Sequence, residues 1–275
     1  MIFKKRRVIL LSVFYCIMVN NFSVNIIGSG NVAHYLANVF VKNNVLVKSV
    51  YSKNTEHSER FASTFNSKSA DSISKLDDTA DLYLIAISDQ SILEVGNLLI
   101  TTKPVVHTSG ITPLKIISDN HLNAGVFYPL QTLTKQTNLL PENVPILIEA
   151  NNDETSQMLF ELAEMLGFKA RELTSDKRQY LHLAAVFVNN FGNHLASIAQ
   201  LILNEQSIPF ELIKPLILET ANKLQASNPE LNQTGPAKRN DLTTIDKHLQ
   251  LLNNKESILE LYKLFSADIL KSYSD

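Results

Sequence analysis

The sequence has few of the residues that mark disulfide-linked, zinc-binding or nucleic-acid-binding proteins. Its 275 residues contain one cysteine, Cys16, so no disulfide can form within a chain. The seven histidines show no spacing typical of a zinc site, and no metal is predicted. The net charge of -2 argues against a strongly basic surface, so we expect no nucleic-acid partner. At 275 residues, of which 45% are hydrophobic, the chain is long enough and apolar enough for an ordinary globular core.

Long apolar runs are also scarce, and the one candidate lies at the N-terminus. A basic cluster, residues 4–7, precedes the apolar run Val8 to Val19. This order is typical of a signal peptide, but no small-residue cleavage site follows. The run is also too short to span a membrane, because a spanning helix needs about 20 apolar residues. A start of translation at Met18 is the third interpretation. We therefore treat residues 1–21 as a leader, with targeting, anchoring and a mis-assigned start all open, and expect a cytoplasmic protein without a membrane partner.

Two patterns divide the rest of the chain. Between residues 22 and 150, short apolar runs alternate with helical patterns, which predicts an α/β Rossmann-type parallel sheet. From Asn151 onwards the pattern predicts helices only, so residues 151–275 are expected to form an all-helical domain. The predicted strands are Val24–Ile27, Val45–Tyr51, Leu82–Ile87, Pro104–His107, Gly125–Tyr128 and Pro145–Glu149.

The first predicted strand runs directly into a G-x-G-x-x-A motif and a helix. Gly28 allows a tight turn, Gly30 lets the backbone approach a pyrophosphate, and Ala33 lets the helix pack against the strand. The helix N-terminus then offers free N–H groups to phosphate. This context predicts a dinucleotide site rather than an unused glycine turn. Its predicted cofactor-binding residues are Gly28, Ser29, Gly30, Asn31, Val32 and Ala33.

The end of the second strand indicates which dinucleotide binds. An NAD site usually has an acidic residue there for the ribose hydroxyls, whereas this strand ends in Ser52 and Lys53. Hydroxyl and cationic groups suit a 2′-phosphate, so NADP(H) is the predicted cofactor. The alternative is that Lys53 is only a solvated surface charge.

Residues just after the other strands should line the same site, because ligands of open α/β sheets lie over the carboxyl ends of the strands. Ser88, Thr108 and Ser109 can bond a nicotinamide ribose or carboxamide, and Gln131 can contact substrate. The alternative is that the hydroxyl groups are ordinary turn and cap residues, with Ser88 or Asp89 capping the following helix.

A long helix between Asp176 and Glu205 is apolar on nearly every side, which predicts burial in a core or between subunits. At about 100° per residue, His182, Asn189 and Asn193 project in one direction. We predict that these three are catalytic and face the substrate from a cleft, with Thr108 and Ser109 opposite. A histidine satisfied inside the core is the alternative.

One further loop, residues 232–241, is dense in turn formers and polar groups. It is either a connector between helices or a loop that binds ligand, in which case Arg239 would bind an anionic group of the substrate.

Taken together, these residues resemble the Rossmann-like proteins that carry the helical domain DUF2520. The resemblance rests on four stretches, residues 27–33, 124–131, 180–191 and 233–241. More widely, the chain is similar to pyrroline-5-carboxylate, ketopantoate and F420-dependent NADP oxidoreductases. The resemblance implies a helical domain that dimerises and closes the active site. The related hydroxyacid dehydrogenases have a lysine and an asparagine four residues apart on the long helix, a pair that His182 and Val186 do not reproduce.

The predicted function is an NADP(H)-dependent reductase of a small carbonyl or imine compound. His182 is the predicted acid, because histidine titrates near neutral pH. Asn189 and Asn193 would orient the substrate. A homodimer through the helical domain is expected, because the long helix has more apolar surface than a small bundle can cover. The alternative is a regulator or scaffold that binds NADP without chemistry, and participation of F420 stays open.

Overall fold

The computed structural model describes residues 22–273, so the predictions about residues 1–21 lie outside it. The described residues form two compact units that meet between Asn189 and Asn190. None of the helices among these residues is long and apolar enough to cross a membrane.

An eight-stranded sheet forms the frame of the first unit. Its strand order is β3-β2-β1-β4-β5-β6-β7-β8, and every neighbouring pair is parallel except β6 with β7. The Rossmann-type architecture predicted from the sequence is confirmed. The strands are β1 Ser23–Ile27, β2 Leu46–Tyr51, β3 Lys68–Ala70, β4 Leu82–Ile85, β5 Val105–His107, β6 Ala124–Pro129, β7 Ile146–Ala150 and β8 Ala170–Glu172.

Helices cover both faces of this sheet. Along β1, β4 and β5, neighbouring residues alternate between two apolar clusters, as the period of two in a strand requires. Ile26 and Leu84 belong to one cluster, whereas Ile27 and Ile85 belong to the other. The helices of this unit are α1 Asn31–Lys42, α2 Thr55–Phe65, α3 Ile92–Leu98, α4 Lys115–Ser118, α5 Asp153–Met165 and α6 Ser175–Ala185.

The prediction that the chain is all-helical after residue 150 is wrong for the first part of that region, because a strand follows the first helix. Asn152 caps α5 by accepting from the Thr155 N–H, and the chain then returns to the sheet as β8 beside β7. The sequence gives no apolar run for β8, because this three-residue edge strand is Ala-Arg-Glu. Strand β3, Lys-Ser-Ala, was not predicted for the same reason. The sheet therefore continues to Glu172.

The second unit, residues 190–273, is helical. A π-helical segment, Val186–Phe191, follows α6 and crosses the boundary between the units. Pro209 precedes a 3₁₀ turn, as its fixed backbone geometry favours. The helices of this unit are α7 Gly192–Glu205, α8 Lys214–Ala226, α9 Pro229–Asn232, α10 Leu242–Leu251 and α11 Glu256–Tyr273.

The long helix is not buried on all sides within one chain, so burial in a core is not observed, and burial between subunits stays a prediction. Leu183 is 53% exposed and Val188 is 78% exposed in the first unit. In the second unit, Leu195 is 43% exposed. A helix that is apolar all round needs cover on every side, and a single chain does not supply that cover here.

Candidate active site

The turn after β1 requires glycine at its first position. Gly28 has a φ of +117°, and its N–H donates to the Tyr51 carbonyl at 2.8 Å. A Cβ on Gly28 would collide with the backbone carbonyl oxygen of Ala86, at the start of the loop that follows β4. The turn is thus wedged between the ends of β2 and β4, at the point where the strand order reverses. Open α/β sheets bind their ligands at this point.

Gly30 has a different reason to lack a side chain. A Cβ there would have no neighbour within 4 Å, and the φ of -80° suits any residue. Nothing inside the protein therefore demands this glycine, whereas a ligand approaching the backbone would. Gly30 is also the N-cap of α1, where no side chain caps the free N–H groups. Ala33 is fully buried and lets α1 lie close to the sheet.

Two of the predicted ribose-side residues lie beside this turn. The Ser29 hydroxyl donates to the Ser52 hydroxyl at 3.0 Å, which joins the motif to the end of β2. Lys53 follows on the surface, and the Asn54 side chain caps α2 by accepting from the His57 N–H. The hydroxyl pair of Ser29 and Ser52 is thus followed along the chain by Lys53 and by the N-terminus of α2.

The hydroxyl groups after β4 and β5 have partners within the protein, which lie in their own loops for Ser88 and Ser109 and on β4 for Thr108. Ser88 is exposed and contacts Ser91 at 3.2 Å, without capping a helix. Thr108 bonds weakly to the Ile85 carbonyl at 3.4 Å. Ser109 accepts from the N–H groups of Ile111 and Thr112, at 3.2 and 2.8 Å. Ser109 thus shapes the loop after β5, and its O–H hydrogen is still available to a ligand.

His107, at the end of β5, is a histidine that sequence reasoning did not select. It is fully buried, and its Nδ1 accepts from the Ser109 N–H at 3.1 Å. Burial, together with the smaller effect of the nearby Arg178 guanidinium, lowers the pKa of His107 to about 3. His107 is therefore neutral at pH 7 and supports the loop rather than supplying protons.

His182 lies beside a second residue that sequence reasoning missed. Its Nδ1 is 3.0 Å from the hydroxyl of Tyr128, near the end of β6. Gly110, in the loop after β5, lies against both rings, since a Cβ there would stand 2.5 Å from His182 Nδ1 and 2.8 Å from Tyr128 Cζ. The clue in the sequence was position: Tyr128 occurs near the carboxyl end of a predicted strand, as the other site residues do.

A buried ion pair holds α6 against this edge of the sheet. Arg178 is fully buried, with its Nη1 2.5 Å from Glu149 on β7 and its Nη2 2.6 Å from the Thr112 carbonyl. Glu149 also accepts from the N–H and the hydroxyl of Ser175, at 2.8 and 2.7 Å. The first turn of α6 is therefore tied both to β7 and to the loop that contains Gly110.

The remaining predicted substrate residues are dispersed. Gln131 is exposed, and its side-chain oxygen accepts from the Thr132 N–H. Asn189 donates to the Thr132 hydroxyl, which brings the π segment to the loop after β6. Asn193 and Arg239 are exposed residues of the second unit.

The π segment changes the predicted polar stripe. A π turn bonds i to i+5 and so inserts a residue, which rotates the following side chains by about 100° relative to a continuous α-helix. The alignment predicted for His182, Asn189 and Asn193 assumed a continuous helix. It does not extend through residues 186–191.

Comparison with known proteins agrees with this architecture. The family model described as "Domain of unknown function (DUF2520)" matches residues 144–269. A crystal structure from Bacteroides fragilis, of a protein proposed to be an NADP oxidoreductase, is 32% identical. The alignment covers 92% of this chain and 99% of that one, with a TM-score of 0.86. The chain belongs to the DUF2520 family.

More distant structures share the fold of this family member. An imine reductase from Myxococcus stipitatus in complex with NADP+ is 14% identical, with a TM-score of 0.62, covering 91% of this chain and 94% of that one. A 1-pyrroline-5-carboxylate reductase from Streptococcus pyogenes is 15% identical, with a TM-score of 0.58 and coverage of 92% and 99%. No curated protein matches the chain. Within residues 22–273, no group of three or more His, Cys, Asp or Glu side chains could hold a metal ion.

Proposed function

We propose that this protein is an NADP(H)-dependent oxidoreductase that reduces a small carbonyl or imine compound. The observation that carries the proposal is the contrast between Gly28, which the fold itself requires, and Gly30, which only an approaching ligand would require. The relative from Bacteroides fragilis, similar over nearly the whole chain, supports the same function. Bound NADPH would supply a hydride, and the protein would supply binding, orientation and a proton.

The chain's own residues fit a dinucleotide along the carboxyl edge of the sheet. The uncapped N–H groups at the start of α1 suit the pyrophosphate. Ser52 and Lys53 would bind the 2′-phosphate, and the loop containing Thr108 and Ser109 would hold the nicotinamide end. His182 would take part in supplying the proton, and Asn189, Asn193, Gln131 and Arg239 remain proposed substrate contacts.

A direct test follows NADPH absorbance while oxo-acids, cyclic imines and aldehydes are offered in turn. Oxidation of NADPH that depends on one of these compounds supports the proposal. Tight NADPH binding without turnover of any of them would instead support a regulator or scaffold. Absence of NADPH binding would contradict both.

Replacing Lys53 by alanine should weaken NADPH binding about ten- to hundredfold and leave NADH binding almost unchanged. One charge-assisted hydrogen bond is worth about 1.5–3 kcal/mol, and only NADPH carries the 2′-phosphate. Titration calorimetry measures both affinities. Lys42→Ala is the matched control, because that lysine is exposed at the opposite end of α1. Equal affinities of the unmodified protein for NADPH and NADH would refute the proposed preference.

The proposed homodimer explains the poorly buried second unit. Within residues 190–273 only Ala237 and Leu252 are buried. The exposed fractions of Leu216, Leu218 and Leu231 are 66%, 63% and 77%. A second copy would cover such side chains, so light scattering at micromolar concentration should give twice the mass of one chain. The mass of a single chain would rule the dimer out.

A further inference from the structure

Tyr128 lies near the carboxyl end of β6. Strand β6 is parallel to β5, so its carboxyl end lies at the same edge of the sheet as the dinucleotide turn. Tyr128 is the last residue but one of this strand, and its side chain is partly exposed. The phenol is thus carried by a strand at this edge of the sheet and is partly accessible.

The contact with Gly110 fixes the pair further. Because a Cβ on Gly110 would overlap both His182 Nδ1 and Tyr128 Cζ, the two rings lie directly against the backbone of this loop. The ring centroids are 6.0 Å apart with an interplanar angle of 65°. The loop that would hold the nicotinamide end therefore also supports the phenol and the imidazole.

The hydrogen bond between the two rings has two arrangements. If His182 carries its proton on Nε2, the phenol must donate to Nδ1 and has no proton for a substrate. If His182 carries it on Nδ1, that N–H donates to the phenol oxygen, and the phenol O–H points elsewhere. Only the second arrangement makes Tyr128 a donor.

Burial is the main reason why the phenol of Tyr128 stays protonated. Burial raises the pKa of Tyr128, and the carboxylate of Asp89, from the loop after β4, acts in the same direction. The Arg178 guanidinium, from α6, opposes this rise. A phenol that is neutral at pH 7 but hydrogen-bonded to an imidazole has a proton to give and a route for its replacement.

We propose that Tyr128 donates the proton to the substrate and that His182 replaces it. In this step the O–H bond of Tyr128 would break, and a new O–H or N–H bond would form on the carbonyl oxygen or imine nitrogen, whose carbon would receive the hydride that bound NADPH supplies. The phenolate then takes the Nδ1 proton of His182 while Nε2 of this partly exposed residue takes a proton from solvent. Proton exchange with solvent afterwards returns the imidazole to the form that is protonated on Nδ1. The inference rests on the proposed reductase function.

The first test determines which nitrogen of His182 carries the proton. Nitrogen-15 NMR of histidine-labelled full-length protein at pH 8, where an ordinary histidine is neutral, distinguishes the two forms. His182→Gln assigns the signal, which is one of seven. A protonated Nδ1 whose shift changes in Tyr128→Phe is the expected result. A bare Nδ1 that accepts from the phenol would overturn the proposal, whether or not a substrate is known.

The second test is kinetic and uses 2-methyl-1-pyrroline and ethyl pyruvate as probes. Tyr128→Phe should lower turnover at least 100-fold with NADPH affinity unchanged, as expected for loss of an acid catalyst. His182→Gln should lower turnover less and flatten its dependence on pH. Tyr83→Phe is the matched control, since it removes a buried phenol that contacts the Asp77 carbonyl. Its turnover should be unchanged.

The outcomes separate this inference from the reductase function itself. Turnover of Tyr128→Phe within about threefold of the unmodified protein, with His182→Gln inactive, would make His182 the direct donor and overturn the proposal. If the unmodified protein neither binds NADPH nor reduces either probe, the reductase function fails. The NMR result then still shows whether Nδ1 of His182 carries a proton or accepts one from the Tyr128 hydroxyl.

Discussion

Replacing Gly30 by valine should abolish NADPH binding, raising the dissociation constant by at least about 100-fold, with the fold intact. A Cβ at this position meets no atom of the protein within 4 Å, so the side chain extends from there into the space that a pyrophosphate would need. Loss of the backbone contacts to a charged group accounts for an effect of this size. Titration calorimetry gives the affinity, and the melting temperature reports the fold.

Gly28→Ala is the matched comparison, and it should lower the stability of the fold, whereas Gly30→Val should lower only the affinity for NADPH. Its methyl group would collide with the Ala86 carbonyl oxygen, and a φ of +117° is strained for any residue with a Cβ. We expect a loss of at least about 2 kcal/mol in the free energy of unfolding. If Gly30→Val binds NADPH normally, the glycine has no role in ligand binding. The contrast between Gly28 and Gly30 then no longer supports the proposed function.

Replacing Arg178 by methionine should destabilise the first unit by about 3–5 kcal/mol, because it leaves a largely buried carboxylate without its charge partner. The Glu149 side chain is only 17% exposed, and the Thr112 carbonyl would also lose its donor. Urea denaturation measures the change in the free energy of unfolding. Arg60→Met is the matched control, because the Arg60–Glu56 pair is exposed along α2, and its loss should change stability little.

A double variant tests the cause of this loss. Arg178→Met combined with Glu149→Leu removes both charges, so part of the stability should return. The recovery should be incomplete, because the N–H of Ser175 then lacks the acceptor that Glu149 provided. If Arg178→Met alone is as stable as the unmodified protein, the ion pair does not anchor α6.

The sheet was largely predictable because buried parallel strands produce continuous apolar runs. All six predicted runs correspond to strands, including β1 with its glycine turn. The edge strands β3 and β8 were not predictable, because three-residue polar segments leave no pattern. Their pairing comes from the sheet beside them and not from their own composition.

The candidate site was harder to predict than the fold. The glycine motif follows from backbone requirements that are local in sequence, and the positive φ of Gly28 agrees with the predicted tight turn, whereas the role of Gly30 towards a ligand stays a prediction. The pairing of Tyr128 with His182 joins residues 54 positions apart, which no spacing rule gives. The π segment after α6 is also invisible to a helical periodicity of 100° per residue.

Arg178 shows the same limit in another way. A charged side chain on a predicted helix suggests an exposed position or a site, yet this arginine is fully buried in an ion pair with Glu149. The partner lies on β7, and the sequence alone does not place β7 next to α6.

A crystal structure of the full chain with NADP+ tests the central claim most directly. The account predicts the pyrophosphate over the turn at Gly28 and Gly30, and the nicotinamide beside the loop at Gly110. The reactive carbon of the ring should then face the Tyr128 hydroxyl across a gap that admits a small substrate at about 3–3.5 Å from its reacting partners. NADP+ bound away from the glycine turn, or with its nicotinamide directed away from Tyr128 and His182, would contradict it.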